Sequence, residues 1–299
     1  MPNLCDTRLG NTNQWYFNPR KDNDMLVPDE IRQCVLFLGF INTPSDDVQV
    51  FKPIGTAFIV SIPAENLEES WHVYLVTAKH VAVALEGKNF WARVNIKNGE
   101  AKFIEGDGVK WWYHPTDGSV DVAVIPWAPP EQVEHKQIPT SLFLSDEIIG
   151  EKSIGAGDLV FMTGLFTKLA GLSKNLPIVR MGNIAMMPDE KVPTRAFGDI
   201  EAYLIEARSI GGLSGSPAFV QETILGGGGK IYLLGLVHGH WDIPLESENE
   251  MEDIEGGSAI NMGIAIVIPA KIILAVINQP ELIEKKREAE EAAKQNSND

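Results

Sequence analysis

Three residues of the chain, His80, Asp121 and Ser214, have the types and local settings that hydrolytic chemistry needs. Ser214 lies in the segment Gly211-Gly-Leu-Ser-Gly215, which crowds three glycines around one hydroxyl. Glycines permit positive φ and close backbone approach. Neighbouring amide N–H groups can then point to where negative charge develops on a tetrahedral carbon. Taken alone, the segment is equally well interpreted as a glycine-rich turn between strands.

A base and a carboxylate precede this serine. His80 comes where a β-type run ends in Thr77 and Ala78, so one ring nitrogen can face a cleft while the other meets an orienting group. Asp121 is embedded in an apolar run, where a carboxylate is costly unless it is paired, and a histidine N–H is a natural partner. The alternatives are a surface histidine and an exposed edge aspartate. Asp117 sits in a turn-like Thr-Asp-Gly and needs no partner.

The order of the three residues along the chain is informative. His, Asp, Ser is the order of chymotrypsin, whereas subtilisins run Asp, His, Ser and α/β-hydrolases run Ser, acid, His. The α/β-hydrolase alternative also fails locally, because Gly212-Leu-Ser-Gly-Ser216 lacks the second glycine of G-x-S-x-G.

The elements that must position these residues are short strands. Two series of about six β-type runs, punctuated by Gly, Pro and Asp, flank a proline-rich connector over Pro126–Pro139, with little helix between them. This pattern predicts an all-β fold of two six-stranded antiparallel barrels with a C-terminal helix. The predicted divisions are an N-terminal arm (1–30), a first barrel (31–130), a second barrel with its closing helix (131–277) and a charged tail (278–299). The tail has almost no apolar stripe, which predicts a solvated helix that frays; the alternative is a helix that binds a partner.

Five segments together resemble the trypsin-like (chymotrypsin-fold) serine peptidases, in particular the bacterial glutamyl-endopeptidase-like and HtrA-like branches. They are Gly55-Thr-Ala-Phe-Ile-Val60, Val76-Thr-Ala-Lys-His80, Asp121-Val-Ala-Val124, Gly212-Leu-Ser-Gly-Ser-Pro217 and Leu234-Gly-Leu-Val237. The resemblance spans roughly residues 31 to 277 and implies an active site between the barrels.

In this resemblance Ser214 is the nucleophile, His80 the general base and then acid, and Asp121 the residue that fixes the histidine tautomer. The N–H groups of Gly212 and Ser214 would form the oxyanion hole. No metal or organic cofactor is implied.

The chain departs from the family in two ways. About twenty residues follow Ile277, so we expect no PDZ-like domain. Leu213 stands where the zymogen-activated branch has an acid, so we expect packing or a partner to hold the oxyanion loop.

The resemblance also suggests a specificity pocket. Strand alternation would place His238 and His240 on one face, and Arg208 precedes Ser214 by six residues. These three residues predict cleavage after Glu, Asp or Gln. A metal site in His238-Gly-His240-Trp-Asp242 is the alternative. An acidic run from Glu246 to Glu255 is interpreted as a solvated loop, or as a rim that attracts basic substrates.

Composition narrows the classes of partner. The net charge is −16, which argues against nucleic acid and anionic membranes. The N-terminus lacks the apolar stretch of a signal peptide, and the chain has 2 cysteines, so we expect a cytoplasmic protein. The expected partners are a protein or peptide substrate and a regulatory protein. The alternative to a serine endopeptidase is a catalytically silent or partner-gated binding protein of the same fold.

Overall fold

A computed structural model describes most of the chain. It covers residues 10–11, 29–42, 50–194, 197–207, 211–223, 229–244 and 259–298. Most of the predicted N-terminal arm, Arg208 and the acidic run from Glu246 to Glu255 lie outside the described residues.

The first half of the chain forms one mostly antiparallel sheet in which nine strands take part. The strands are β1 (Gly10–Asn11), β2 (Val35–Asn42), β3 (Val50–Pro63), β4 (Ser70–Thr77), β5 (Trp91–Asn95), β6 (Ala101–Glu105), β7 (Trp112–Tyr113), β8 (Ala123–Pro126) and β9 (Ile138–Pro139). The pairing order is β6-β5-β2-β3-β4-β8-β7, with β1 on β4 and β9 parallel to β3. The proline-rich connector therefore returns to the first sheet before the chain enters the second.

The second half forms a closed barrel in the order β10-β11-β14-β17-β16-β15. Its strands are β10 (Leu159–Gly164), β11 (Ile178–Met186), β14 (Tyr203–Glu206), β15 (Pro217–Gln221), β16 (Ile231–Pro244) and β17 (Ala259–Pro269). A separate two-stranded hairpin pairs β12 (Val192–Thr194) with β13 (Gly198–Ile200). The prediction of an all-β architecture that ends in a helix is confirmed.

Helices are few and short until the C-terminus. They are α1 (Asp29–Gln33), α2 (Lys79–Leu85), α3 (Asp146–Lys152), α4 (Ala270–Ile277) and α5 (Pro280–Asn298), with a 3₁₀ turn at Thr140–Leu142. Among the described residues, no helix combines the length and the apolar character needed to cross a bilayer.

The strands form because their apolar runs can be buried on both faces. In β4, Val73, Leu75 and Val76 are all buried, and β16 has a similar continuous apolar stretch. One apolar cluster runs through the first sheet into the facing side of the barrel and takes in Ile273 of α4. A second cluster fills the barrel and includes Leu213.

The last helix differs from the solvated tail that the sequence predicts. Leu282 is fully buried, and Glu290 is only 5% exposed. The Glu290 carboxylate accepts hydrogen bonds from the backbone N–H groups of Glu65 (3.1 Å) and Asn66 (3.0 Å), from the Asn66 amide (2.8 Å) and from His72 Nε2 (2.7 Å). The prediction of a solvated helix was wrong because it was based on the missing apolar stripe. The Glu290 carboxylate holds α5 against the first sheet instead.

Candidate active site

His80 is positioned by the junction between β4 and α2. The buried strand ends at Thr77, Ala78 is the N-cap of α2, and His80 is the second helical residue. Its side chain is 37% exposed, so one edge of the ring reaches solvent. Its Nδ1 lies 2.7 Å from Asp121 Oδ2, and its backbone N–H donates to Asp121 Oδ1 at 2.8 Å. Asp121 therefore fixes both the helix start and the ring.

Asp121 is fully buried just before β8. Burial opposes its ionisation, but hydrogen bonds from His238 and His80 outweigh that effect and hold the pKa of the carboxyl below its usual range. Asp117 instead accepts from the N–H and hydroxyl of Ser119, and those bonds lower its pKa. The structure thus pairs Asp121 with His80 and leaves Asp117 in a local turn.

Ser214 lies on a tightly constrained loop. Gly215 has φ 81°, and a Cβ there would lie 2.2 Å from the carbonyl oxygen of Thr56. The Thr56 hydroxyl accepts from Leu165 N–H (2.9 Å) and donates to the carbonyl of Gly212 (2.8 Å). Thr56 N–H also donates to the carbonyl of Ser214 at 3.0 Å. Threonine 56 therefore connects the first sheet to the loop that carries the serine.

Apolar packing of Leu213, and not an ion pair at that position, supports the loop that carries Ser214. Leu213 is fully buried in the apolar cluster of the second barrel. Within the described part of the chain, the backbone N–H groups of Gly212 and Ser214 donate to no acceptor. Both donors are therefore available to a substrate oxyanion, which an oxyanion hole requires.

The Ser214 hydroxyl makes no hydrogen bond to the expected base, His80. Its Oγ donates to the carbonyl of His238 at 3.3 Å, and no hydrogen bond joins it to His80, both residues being described. Catalytic hydrogen bonds in unliganded enzymes are often long or unmade and form only with substrate. A hydrogen bond from Ser214 to His80 must therefore form before His80 can accept the hydroxyl proton.

His238 has a position that strand alternation does not predict. Its Nδ1 lies 2.5 Å from Asp121 Oδ2, the oxygen that also meets His80. The pairing of β16 with β17 slips between Val237 and Gly239, so His238 occupies a bulge. A bulge changes the direction in which a side chain points. The apolar sequence of β16 and β17 does not indicate that a bulge occurs at His238.

The structure does not test the predicted roles of His240 and Arg208 in the specificity pocket. His240 pairs with Ala265 across β17, and a second slip follows it, so the simple same-face argument for His238 and His240 does not hold in this strand. With Arg208 outside the described residues, the roles of all three in binding substrate stay predictions.

The aromatic ring of Phe197 lies beside both histidines. The ring of Phe197, next to β13, lies 6.3 Å from that of His80 and 5.4 Å from that of His238, in tilted and edge-on geometry. The imidazoles themselves lie 5.8 Å apart, edge to face. Sequence reasoning missed Phe197, and nothing in its local sequence would have identified it.

The side chains of His80, Asp121 and His238 are of types that bind metal ions, and they lie close together. One ligand atom each from His80, Asp121 and His238 lies within 4.8 Å of the others. No other group of three or more His, Cys, Asp or Glu side chains in the described residues has this closeness.

Comparison with known proteins supports the fold. No protein-family model and no curated protein matches the chain. Among solved structures, the protease domain of MamO from Magnetospirillum magneticum, in its apo form, aligns with 84% of this chain and 98% of its own, at 14% identity and a TM-score of 0.51.

Two further structures are similar over most of the chain. The HtrA-type protease AlgW, bound to a decapeptide, aligns at 18% identity and a TM-score of 0.49, over 86% of this chain and 66% of its own. Deg5 aligns at 14% identity and a TM-score of 0.47, over 82% and 88%. The likeness to the MamO domain shows that this chain has the trypsin-like fold.

Proposed function

We propose that the protein is a serine endopeptidase that cleaves peptide bonds through an acyl-enzyme. The observation that carries the proposal is the pair of hydrogen bonds that the fully buried Asp121 carboxylate accepts from His80, one from the ring and one from the backbone N–H. Nδ1–H donation to Asp121 leaves Nε2 of His80 as the acceptor. That is the tautomer a general base needs.

The chemistry follows from this arrangement. Ser214 turns its Oγ from the His238 carbonyl to Nε2 of His80, which takes the hydroxyl proton as Oγ attacks the substrate carbonyl. The N–H groups of Gly212 and Ser214 stabilise the oxyanion that forms. His80 then gives the proton to the leaving amine, and a water molecule releases the acyl group by the same steps.

A protein or peptide is the proposed substrate, and a cytoplasmic location and a regulatory protein partner belong to the same proposal. Arg208, His238 and His240 would favour Glu, Asp or Gln before the cleaved bond. Profiling of a diverse peptide library by mass spectrometry tests this preference. Cleavage after Lys or Arg would show that acidic groups set the specificity instead.

The proposal of peptidase activity is tested by substitution. Ser214→Ala should keep the fold and abolish cleavage of the library, because triad residues act as a unit that supplies on the order of 10⁶-fold in rate. Ser216→Ala is the matched control, since Ser216 lies two residues away and its buried Oγ has no hydrogen-bond partner. Cleavage that persists in purified Ser214→Ala protein would refute the assignment.

A second candidate is a protein of the same fold that a partner switches on. The observation that favours it is the hydrogen bond from Ser214 Oγ to the His238 carbonyl in place of one to His80. A partner-gated enzyme would be inert toward small ester substrates when pure and would gain activity with a binding protein. A constitutive peptidase would turn over such esters unaided.

A further inference from the structure

We propose that His80, Asp121 and His238 bind a divalent transition-metal ion such as Zn²⁺, and that the bound ion reversibly inhibits the site. Three separate segments supply the donors: α2, the residues before β8, and the bulge in β16. Their ligand atoms lie within 4.8 Å of one another. This set differs from the local His-Gly-His motif that the sequence analysis considered.

The trio has one imidazole more than a triad uses. Orienting a general base takes one carboxylate and one histidine. Here Oδ2 of Asp121 meets Nδ1 of both His80 (2.7 Å) and His238 (2.5 Å). Two imidazoles and a carboxylate form a donor set typical of zinc.

The geometry needs only a small adjustment. Zinc ligands lie about 2.0–2.2 Å from the ion, so tetrahedral donors stand roughly 3.4 Å apart, and the two Nδ1–Oδ2 separations must widen by about 0.7–0.9 Å. The half-exposed His80 ring can move toward the cleft, and the His238 side chain is 13% exposed. Asp121 Oδ1 keeps its bond to the His80 N–H, which holds the carboxylate in place.

Coordination would block the proposed chemistry. When Nδ1 of His80 binds the ion, its proton leaves to solvent and Nε2 takes one up, so the ring stays neutral but becomes a donor at Nε2. A ring in that tautomer cannot accept the Ser214 proton. This inhibitory consequence rests on the proposed peptidase function, whereas metal binding itself does not.

Calorimetric titration of the metal-free protein with Zn²⁺ tests the binding. We expect one equivalent to bind to the wild type, and affinity to fall by more than about 100-fold in His238→Asn, since even outer-shell changes cost 10–100-fold. Asparagine retains an N–H donor for Asp121 while losing the imidazole. His114→Asn is the control, because His114 lies outside the trio and accepts from Asp117 N–H, which asparagine can also do.

Spectroscopy of the wild-type protein with Co²⁺ tests the metal site without depending on whether the variants fold. Co²⁺ should give the intense visible bands of tetrahedral coordination, and Zn²⁺ should abolish them. Absence of these bands, or equal zinc affinity in wild type and His238→Asn, would overturn the metal site.

Inhibition of the proposed peptidase site by zinc is tested in a separate experiment. Fluorophosphonate labelling should stop at saturating Zn²⁺ and recover with a chelator. Zinc bound through His238 in a protein that never reacts with the probe would refute the proposed function and leave the metal site standing. Labelling that continues unchanged at saturation would overturn the inhibition.

Discussion

Glu290→Ala tests how the C-terminal helix is attached. Glu290 is 5% exposed, and its carboxylate accepts four hydrogen bonds, from Glu65, Asn66 (two) and His72. Burial lowers the pKa of His72, so that ring is neutral at pH 7 and donates Nε2–H to an ionised Glu290. The substitution removes every acceptor at once.

The expected loss of stability in Glu290→Ala depends on which of the four hydrogen-bond donors can bind water instead. Glu65 and Asn66 are exposed and regain hydrogen bonds to water, but His72 stays buried. A buried donor left unpaired costs about 1–3 kcal/mol, and hydrogen bonds to a charged group contribute about 1.5–3 kcal/mol. We therefore expect the free energy of unfolding to fall by about 3 kcal/mol.

Urea denaturation measures this loss, with Glu291→Ala as the matched control. Glu291 is the next residue of the helix, and its side chain is 58% exposed and pairs with Arg287 at 3.1 Å. Such a surface pair contributes about 0–1 kcal/mol. If the two variants lost equal stability, the reasoning about Glu290 would be refuted.

The same contact predicts a pH dependence. Although burial opposes ionisation, hydrogen bonds from His72 and Asn66 lower the pKa of Glu290 from 4.5 to about 2. A depressed pKa gives stability that is complete above the unfolded value and is lost as pH falls through the folded one. The gap between wild type and Glu290→Ala should therefore narrow as pH falls from about 5 toward 2. A constant gap over that interval would contradict the assignment.

Further substitutions test the loop and the triad. Asp121→Asn should retain the fold and reduce kcat about 10⁴-fold, the magnitude known for the equivalent change in trypsin, because the amide favours the wrong tautomer of His80; steady-state kinetics measures it. Gly215→Ala should cost about 1–3 kcal/mol in urea denaturation, since φ is 81° and the new Cβ would meet the Thr56 carbonyl; unchanged stability would contradict the loop geometry. Thr56→Val should slow fluorophosphonate labelling by loosening the Gly212 carbonyl, while Thr167→Val, whose exposed hydroxyl meets Gly211 O at 3.4 Å, should not.

Strand content was predictable because its signal is local. Apolar runs bounded by Gly, Pro and Asp predict strands over His72–Thr77, Leu159–Thr163 and Met262–Ile268, and β4, β10 and β17 contain them. β6 was missed because only Ile104 of its five residues is buried, so it lacks an apolar run. The pairing of Asp121 with a histidine was also foreseeable, since a carboxylate in an apolar strand requires a partner.

The remaining features depend on tertiary structure. His238 reaches Asp121 through a bulge whose register slip has no local sequence mark. Phe197 meets the histidines from a hairpin that is distant in sequence from both of them. Glu290 lies in a helix with no apolar stripe, and its partners His72 and Asn66 precede it by more than 200 residues. Patterns over a few residues cannot encode such contacts.

The proposed peptidase chemistry requires Ser214 to be a nucleophile that His80 and Asp121 activate. The most direct measurement is to treat the purified wild-type protein with a fluorophosphonate probe and to map the adduct by peptide mass spectrometry. We expect one adduct, on Ser214, that is absent from Ser214→Ala. A folded protein that remains unlabelled in chelator, or that carries the adduct on another residue, would contradict it.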